Sequence, residues 1–247
     1  IDVDNRIRRF REKPGPGEIF SNLASTGMYV CSPDIFDYIP DGTKFDFAKN
    51  LFPLLMEKGM ILDGWLARGN WSDVGSPASL RLAEKWKLQE MSYANISGDM
   101  DIKNAHIQGP VDFGGSIYVG HNSRIIGPVA IGSGTSIGDN VLIGPYTSIG
   151  KNCIIRNNVR VLSSSFYNRV VIGQGTSVSG AIIDNEAMIG DSCSIEHGSV
   201  IGPRTVIRNR VTVHSNTRIW PDMVIPDGTT VTEHMLNDSY DTRCEGS

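Results

Sequence analysis

A branched or aromatic apolar residue returns at every sixth position through much of the second half of this sequence. The first run is Ile107, Phe113, Val119, Ile125, Ile131, Ile137, Ile143, Ile149, Ile155 and Val161, and the second is Ile183, Ile189, Ile195, Ile201, Ile207, Val213, Ile219, Ile225 and Val231. An α-helix, with 3.6 residues per turn, would scatter these positions around its axis. An ordinary β-sandwich predicts a period of two with irregular loops. The period of six predicts a solenoid in which each hexad forms one short strand and one corner.

Two further features of the repeat agree with a solenoid. Four places after the apolar residue stands a small or β-branched residue, at Ser123, Val129, Thr135, Val141, Thr147, Cys153, Val159, Ala187, Cys193, Ser199, Thr205, Val211 and Thr217. Gly, Asn and Asp recur at the expected corners, where tight turning needs positive φ. This pattern resembles the hexapeptide-repeat left-handed parallel β-helix, in which three hexads make one triangular coil. The resemblance implies roughly seven coils between Ile107 and Val231.

The segment 162–182 interrupts the six-residue spacing. Its residues Ser163-Ser164-Ser165-Phe166-Tyr167 are out of phase with the hexads on both sides. We predict an irregular segment that leaves the prism, either as a loop that carries contacts or as a tolerated insertion.

The totals restrict the functional class. A chain of 247 residues has room for two units, and the net charge of −4 argues against a nucleic-acid or membrane-surface binder. The start of the sequence does not resemble a signal peptide, and no apolar stretch approaches the length of a membrane span. The cysteines Cys31, Cys153, Cys193 and Cys244 show no paired spacing. A reduced cytoplasmic protein is therefore expected, rather than a disulfide framework or a zinc site.

Residues 1–91 lack the hexad pattern and alternate between strand-like and helix-like stretches. We predict strands over 6–10, 26–31 and 61–67, and helices after Ser32-Pro33, over 46–58 and over 77–91. Such alternation suggests part of an α/β layer, but three strands are too few for an independent doubly wound sheet. The expected division is therefore an α/β half-domain over 1–91, a linker over 92–106, the β-helix over 107–232 and a tail over 233–247.

Short motifs in the first 91 residues resemble the second half of a sugar-phosphate nucleotidyltransferase domain, of the mannose-1-phosphate guanylyltransferase or glucose-1-phosphate thymidylyltransferase type. In chain order they are Phe10-Arg11-Glu12-Lys13-Pro14, Ser21-Asn22 with Thr26-Gly27-Met28-Tyr29, Phe45-Asp46-Phe47-Ala48-Lys49-Asn50-Leu51-Phe52-Pro53, and Gly69-Asn70-Trp71-Ser72-Asp73-Val74-Gly75-Ser76-Pro77. Members of this family often carry a hexapeptide β-helix behind the catalytic domain. The resemblance therefore covers nearly the whole chain.

The resemblance implies a role for each marked residue. Lys13 would bring positive charge to the sugar phosphate, and Glu12 would accept hydrogen bonds from sugar hydroxyls. Asp73 would be one of two carboxylates holding Mg²⁺, and Gly75 would let the backbone approach the substrate closely. The sugar pocket would be lined by Ser21, Asn22, Thr26 and Gly27. The structural alternatives are a solvated Glu-Lys pair, an Asp that caps a turn, a turn glycine and ordinary polar residues at a strand edge.

One departure from the family pattern limits what these motifs imply. The Gly-rich nucleotide loop of the form Gly-Gly-x-Gly-Thr-Arg-Leu does not occur in the 247 residues, and the nucleotidyltransferase-like segment 1–91 also lacks the Gly-Asp that supplies one metal ligand in the family. The chain is therefore expected to be a fragment of a longer protein or a degenerate relative, inactive alone. It would meet its substrates, a sugar 1-phosphate and an NTP, together with the missing half. The β-helix would mediate homo-oligomer contacts.

Two other functions stay open at this point. Hexapeptide β-helices also occur in CoA-dependent acyltransferases, in which a histidine acts as general base. Here His121 and His197 both follow an interior position by two places and are expected to point outward. The second alternative is a catalytically silent relative, such as the nucleotidyltransferase-like subunits of translation initiation exchange factors.

Overall fold

The computed structural model describes residues 1–11 and 13–236, and the chain divides into two compact units. The first unit is Ile1–Asp73, and the second begins at Val74. Over the residues that the structure describes, no helix is both long and apolar enough to cross a membrane.

Over residues 74–236, the second unit contains one helix followed by 24 short strands. The helix, here α2, is Pro77–Gln89. The first eight strands are β1 Asn95–Ile96, β2 Met100–Ile102, β3 His106–Gln108, β4 Val111–Phe113, β5 Ile117–Val119, β6 Arg124–Ile126, β7 Val129–Ile131 and β8 Ser136–Ile137. The next eight are β9 Leu142–Ile143, β10 Thr147–Ile149, β11 Ile154–Ile155, β12 Arg160–Leu162, β13 Ser165–Phe166, β14 Val171–Ile172, β15 Ser177–Ser179 and β16 Ile182–Ile183. The last eight are β17 Met188–Ile189, β18 Ser194–Ile195, β19 Val200–Ile201, β20 Val206–Ile207, β21 Thr212–Val213, β22 Arg218–Ile219, β23 Val224–Ile225 and β24 Thr230–Val231.

Every third strand belongs to the same parallel sheet. The first sheet runs from β1 to β22, the second from β2 to β23 and the third from β3 to β24, with eight strands in each. Three eight-stranded sheets that share one chain path make a parallel β-helix of about eight coils. The predicted fold class is therefore confirmed, with one coil more than the hexad count implied.

The interior of the β-helix is formed by the residues that the period selects. From Phe113 to Val231 every residue of the two apolar runs is buried, and so are the thirteen small or β-branched residues from Ser123 to Thr217 that stand four places later. Ile107 is the exception, with 37% of its surface exposed. It lies on β3, the edge strand of the third sheet, which pairs only with β6. An edge strand has a neighbour on one side only, so its interior residue is covered from one side.

The prediction that segment 162–182 leaves the prism is wrong, because the β-helix continues through it. Phe166, Ile172 and Val178 occupy buried interior positions and pair in register with the coils before and after. The steps from Val161 to Phe166 and from Val178 to Ile183 are five residues instead of six. Each shortened corner shifts the phase of the sequence pattern without breaking the sheets.

The predicted linker over 92–106 and the start of the β-helix at residue 107 also need correction. Strands β1 and β2 pair with β4 and β5, with Ile96 opposite Phe113 and Ile102 opposite Val119. The spacing from Ile96 to Ile102 is six residues and from Ile102 to Ile107 is five. Because of this further five-residue step, the strict six-residue pattern does not extend back to Ile96 and Ile102, and the sequence pattern alone does not indicate the first coil. At the other end of the β-helix, Met235, which we assigned to the tail, forms a parallel bridge with Ile219.

The first unit is helical where it is regular. It contains 3₁₀-helices at Pro16–Glu18 and Pro33–Tyr38, a π-helix at Phe47–Leu51 and the α-helix α1 at Phe52–Glu57. Its buried core consists of Leu51, Phe52 and Leu55, surrounded by partly buried aromatic residues such as Phe10. The helices predicted after Ser32 and over 46–58 are confirmed, as is the helix predicted after Ser76 in the second unit.

The three strands predicted in the first unit do not form. Among its described residues the backbone pairing between these segments is one isolated bridge, from Arg6 to Asp63. A strand needs a lateral partner for its N–H and C=O groups, and local propensity cannot supply one. Val30 and Trp65, which the strand pattern placed in sheets, have more than 90% of their surface exposed.

Candidate functional site

The turn that carries Lys13 is held from both sides. Before it, the Phe10 ring packs edge-on against Phe52, with 5.3 Å between the ring centroids. After it, Glu18 Oε2 accepts a hydrogen bond from the Gly15 N–H at 3.1 Å, and Glu18 Oε1 lies 2.5 Å from the Arg11 guanidinium. The Gly15 hydrogen bond and the charge of Arg11 lower the pKa of Glu18. Lys13 is exposed and has a positive φ of 45°, so its ammonium is available to a ligand. Glu12, its predicted companion, lies outside the described residues.

The predicted sugar-pocket residues divide into two groups. Gly27, with φ of 74°, lines an open cleft of about 330 Å³ together with Tyr29, Cys31, Ser32, Ile35, Phe36 and Phe47. Tyr29 stacks on Phe47, with 5.9 Å between ring centroids, so the cleft has an aromatic wall. Ser21, Asn22 and Thr26 are not among its lining residues. The Ser21 hydroxyl instead accepts a hydrogen bond from the Leu23 N–H at 3.1 Å.

Asp73 and Gly75 are exposed just before α2. Ser76 is the cap of α2, as the sequence predicts, and no hydrogen bond from the Asp73 carboxylate caps a turn among the described residues. The Ser76 hydroxyl accepts the Ser79 N–H at 3.1 Å, and the Ser79 hydroxyl accepts the Ser76 N–H at 3.0 Å. The Asp73 carboxylate makes no hydrogen bond or ion pair with any described residue. It is therefore free to receive a ligand.

The metal-binding capacity of this part of the chain is partial. Among the described residues there is no group of three or more His, Cys, Asp or Glu side chains that could hold a metal ion. Mg²⁺ usually retains several waters and takes only one or two protein carboxylates together with substrate phosphates. One exposed carboxylate at Asp73 fits such a site as a contributor, but it does not make a closed site. No ion pair or hydrogen bond joins Lys13 to Asp73 in the described part of the first unit.

A polar cluster between α2 and the first sheet was missed by the sequence analysis. Arg81 donates hydrogen bonds to the Tyr146 carbonyl at 2.8 Å and to Glu84 Oε2 at 2.6 Å. Both Arg81 and Glu84 also bond the buried hydroxyl of Ser165. Lys85 lies 4.9 Å from the centre of the Tyr146 ring. The signal in the sequence was the Arg-x-x-Glu spacing on α2, but its partner Ser165 fell in the segment predicted to be irregular.

The two histidines considered for acyl transfer lie at corners of the β-helix, and both are exposed as predicted. His121 Nδ1 is 3.1 Å from the side-chain oxygen of Asn104 in the preceding coil. The His197 ring lies so close to Gly180 that a Cβ there would be 2.0 Å from Nδ1. Among the described residues these contacts do not favour acyl transfer over a surface role.

The two parts of the chain match two families. Residues 1–90 match the nucleotidyl transferase family, and residues 113–213 match the LbH domain of the EIF2B epsilon subunit. The chain thus combines a nucleotidyltransferase-type segment with a hexapeptide-repeat β-helix. It is a relative of sugar-phosphate nucleotidyltransferases that carry a C-terminal hexapeptide-repeat region, as the sequence resemblance predicted.

Individual relatives support this assignment. A UTP–glucose-1-phosphate uridylyltransferase from Synechocystis is 30% identical over 141 residues, which are 51% of this chain and 36% of the relative. A glucose-1-phosphate adenylyltransferase from Fervidobacterium nodosum is 27% identical over 96% of this chain and 59% of its own length. The chain therefore spans between about a third and three fifths of these relatives.

Solved structures resemble the β-helix only weakly. A UDP-N-acetylglucosamine acyltransferase from Bacteroides fragilis is 20% identical and covers 59% of this chain and 67% of its own, with a TM-score of 0.34. A likeness of that size carries no conclusion about function.

Proposed function

We propose that the chain takes part in nucleotidyl transfer between an NTP and a sugar 1-phosphate. In this reaction an oxygen of the sugar phosphate bonds to the α-phosphorus of the NTP, and pyrophosphate leaves. The observation that carries the proposal is the match of residues 1–90 to the nucleotidyl transferase family, supported by relatives named for this reaction. From those names we propose glucose 1-phosphate as the sugar and UTP or ATP as the nucleotide.

The residues of the first unit suit the sugar-phosphate side of this reaction. Nucleotidyl transfer needs positioning and charge neutralisation more than a covalent nucleophile. We assign phosphate binding to Lys13, which is exposed on a turn anchored by Phe10 and Glu18. Gly27 and the aromatic cleft beside it would receive the sugar ring, and Glu12 would bond its hydroxyls.

Mg²⁺ is proposed as the cofactor, with Asp73 as one of its ligands. The exposed carboxylate has no competing partner among the described residues, and the neighbouring helix is capped by Ser76 instead. When bound, Mg²⁺ neutralises the phosphate charge that develops during transfer. The role of this chain is to present one oxygen ligand at the start of α2.

A binding experiment tests the sugar-phosphate assignment. Titration of glucose 1-phosphate into the 247-residue chain should show saturable binding that weakens about tenfold in Lys13→Gln, since a charge-assisted hydrogen bond is lost. Lys49→Gln removes an equally exposed lysine from the same unit and is the control. An equal loss of glucose 1-phosphate affinity in the two variants would contradict the assignment of Lys13.

The chain alone should release no pyrophosphate with any NTP, because it lacks the Gly-rich loop.

A second experiment tests Asp73. With a nucleotidyltransferase segment that supplies the Gly-rich loop, the chain should turn over in a Mg²⁺-dependent way. Asp73→Asn should lower that turnover about a hundredfold, because a metal ion contributes several kcal/mol to charge stabilisation. Asp63→Asn is the matched control. Unchanged turnover of Asp73→Asn at low Mg²⁺ would remove Asp73 from the site.

A catalytically silent subunit is the second candidate function. The match of residues 113–213 to the EIF2B epsilon LbH domain is the observation that favours it. The two candidates separate in the reconstitution above. A silent subunit stays inactive when the Gly-rich loop is supplied, whereas an enzyme segment gains turnover.

We propose further that the β-helix forms homo-oligomers through the outer face of its second sheet. The outward row on that face reads Asp101, Tyr118, Ser136, Ile154, Val171, Met188, Val206 and Val224, so six of its eight residues are apolar or aromatic. Met188→Glu should lower the molar mass measured by light scattering. Ser194→Glu, on the third sheet, should not.

We also propose a cytoplasmic location. Cys31, Cys153 and Cys193 are free thiols, and Cys31 is exposed, which suits a reducing compartment. Fractionation of the native cells tests this proposal.

A further inference from the structure

The edge strand of the third sheet opens onto a cavity in the β-helix unit. The cavity has a volume of about 590 Å³ and is lined by His106, Ile107, Gln108, Arg124 and Ile126. His106 and Arg124 are register partners on β3 and β6, and so are Gln108 and Ile126. Register partners project to the same side of a parallel sheet, so the four side chains converge on the outer face.

The outward row of the third sheet carries two arginines at this end. From β3 to β12 it reads His106, Arg124, Leu142 and Arg160. The neighbouring outward row has no carboxylate near the two arginines. It runs from Gln108 and Ile126 through Gly144, Leu162 and Ser179, and its first carboxylate is Glu196. No ion pair or hydrogen bond of the Arg124 or Arg160 guanidinium occurs within the described part of the chain. Two other exposed arginines of the prism do pair, Arg169 with Glu186 and Arg204 with Asp222.

We propose that this cavity binds the phosphate group of a small organic phosphate. A guanidinium presents a planar set of N–H donors that matches two phosphate oxygens, and His106 and Gln108 add donors beside it. Ile126, on the same outer face, offers an apolar surface for the organic part of the ligand. The site belongs to the β-helix and does not depend on the proposed nucleotidyl transfer.

The spacing of the donor side chains sets the size of the ligand. Neighbouring strands are about 4.8 Å apart, so His106 and Arg124 can hold one phosphate group, while Arg160 lies about 10 Å from Arg124 along the sheet. Beyond Arg160 the row continues as Ser177, Ser194 and Thr212, without further cations. A cationic row this short, on a chain of net charge −4, suits a small phosphate rather than a nucleic acid strand.

Calorimetric titration with inorganic pyrophosphate at constant ionic strength tests the proposal. Arg124→Gln should weaken binding about tenfold or more, because a charge-assisted hydrogen bond is lost. Arg160→Gln should weaken it less, since it lies two strands away. Arg156→Gln is the matched control, because Arg156 is an exposed arginine at a corner after β11 and its loss changes the net charge equally. Lys49→Gln, which removes an exposed lysine of the first unit outside both proposed sites, should leave pyrophosphate affinity unchanged.

Several outcomes would overturn the proposal. Pyrophosphate binding that does not saturate would show that the cavity is not a phosphate site. An equal loss in Arg124→Gln and Arg156→Gln would show that only net charge matters. Tighter binding of single-stranded RNA than of pyrophosphate, lost in Arg124→Gln, would assign the face to a nucleic acid. Thermal unfolding of each variant checks that the exposed substitutions leave the fold intact.

Discussion

The two units of this chain obtain their order in different ways. In the β-helix each hexad delivers one branched residue to a shared interior, and each strand finds its partner one coil away. In the first unit three buried side chains, Leu51, Phe52 and Leu55, organise a much smaller core. Among the described residues of this unit, the strand-like segments pair only through the bridge between Arg6 and Asp63. A repeat therefore specifies both a strand and its partner, whereas an isolated strand pattern specifies only half of a pair.

The largest expected effect concerns the shared interior. Ile143→Ala removes a fully buried side chain and should lower the free energy of unfolding of the β-helix by about 3 kcal/mol. Leu142→Ala, one residue earlier and facing outward, should cost less than about 1 kcal/mol. Denaturant unfolding followed by circular dichroism measures both. Similar costs at the two positions would contradict the assigned register.

A smaller effect is expected at the polar cluster that holds α2. Glu84→Gln removes the charge that pairs with Arg81 and leaves the buried Ser165 hydroxyl with a weaker partner. We expect local destabilisation of α2 by about 1–3 kcal/mol, read as faster amide exchange in that helix. Glu90→Gln breaks the exposed pair with Lys87 at the same i,i+3 spacing and should change exchange by no more than about 0.5 kcal/mol. Equal exchange in the two variants would show that the cluster does not hold the helix.

The shortened corner after Val161 predicts a contrast between two buried threonines. Thr135 donates its hydroxyl to the Gly150 carbonyl at 2.9 Å, whereas the Thr147 hydroxyl is buried without a partner among the described residues. Leu162 stands in the next coil where Gly150 stands for Thr135. Its carbonyl accepts the Ser164 hydroxyl at 2.7 Å, and not the Thr147 hydroxyl. Thr135→Val should therefore cost about 1 kcal/mol of unfolding free energy, and Thr147→Val should be neutral or stabilising. Equal costs in denaturant titrations would refute the contrast.

The buried thiols predict a weak alkaline dependence. Burial raises the pKa of Cys153 and of Cys193 above the ordinary thiol value. As pH rises past about 8.5, the unfolded chain loses these protons first, so the free energy of unfolding should fall with pH there and stay level below. Cys153→Ala should reduce this slope, whereas the exposed Cys31→Ala should leave it unchanged. A slope that depends equally on both would contradict the assigned burial.

The sequence was most informative where side chains repeat. The buried series from Phe113 onward and the outward corners at His121 and His197 followed from the period alone. The five-residue steps after Ile102, Val161 and Val178 were not recognised, because each shift of phase looks like the end of the pattern. The docking of Arg81 and Glu84 on Ser165 joins residues more than 80 positions apart, which local patterns cannot reveal.

The candidate site was predictable only through resemblance. Lys13, Gly27 and Asp73 are exposed and available, but the structure brings only Gly27 into the aromatic cleft. Ser21 is engaged in a local turn, which a strand-edge interpretation did not anticipate. Exposed polar residues carry little packing information, so their roles depend on ligands rather than on the fold.

Amide hydrogen exchange over residues 163–182 tests the central claim that one continuous β-helix runs from β1 to β24. The amides of Ser165, Tyr167, Val171, Ser177 and Ile182 each donate to a carbonyl in the next coil. The account predicts that they are protected as strongly as Leu142 before the segment and Met188 after it. Fast exchange throughout 163–182 between two protected blocks would show a loop that interrupts the prism, and would contradict the account.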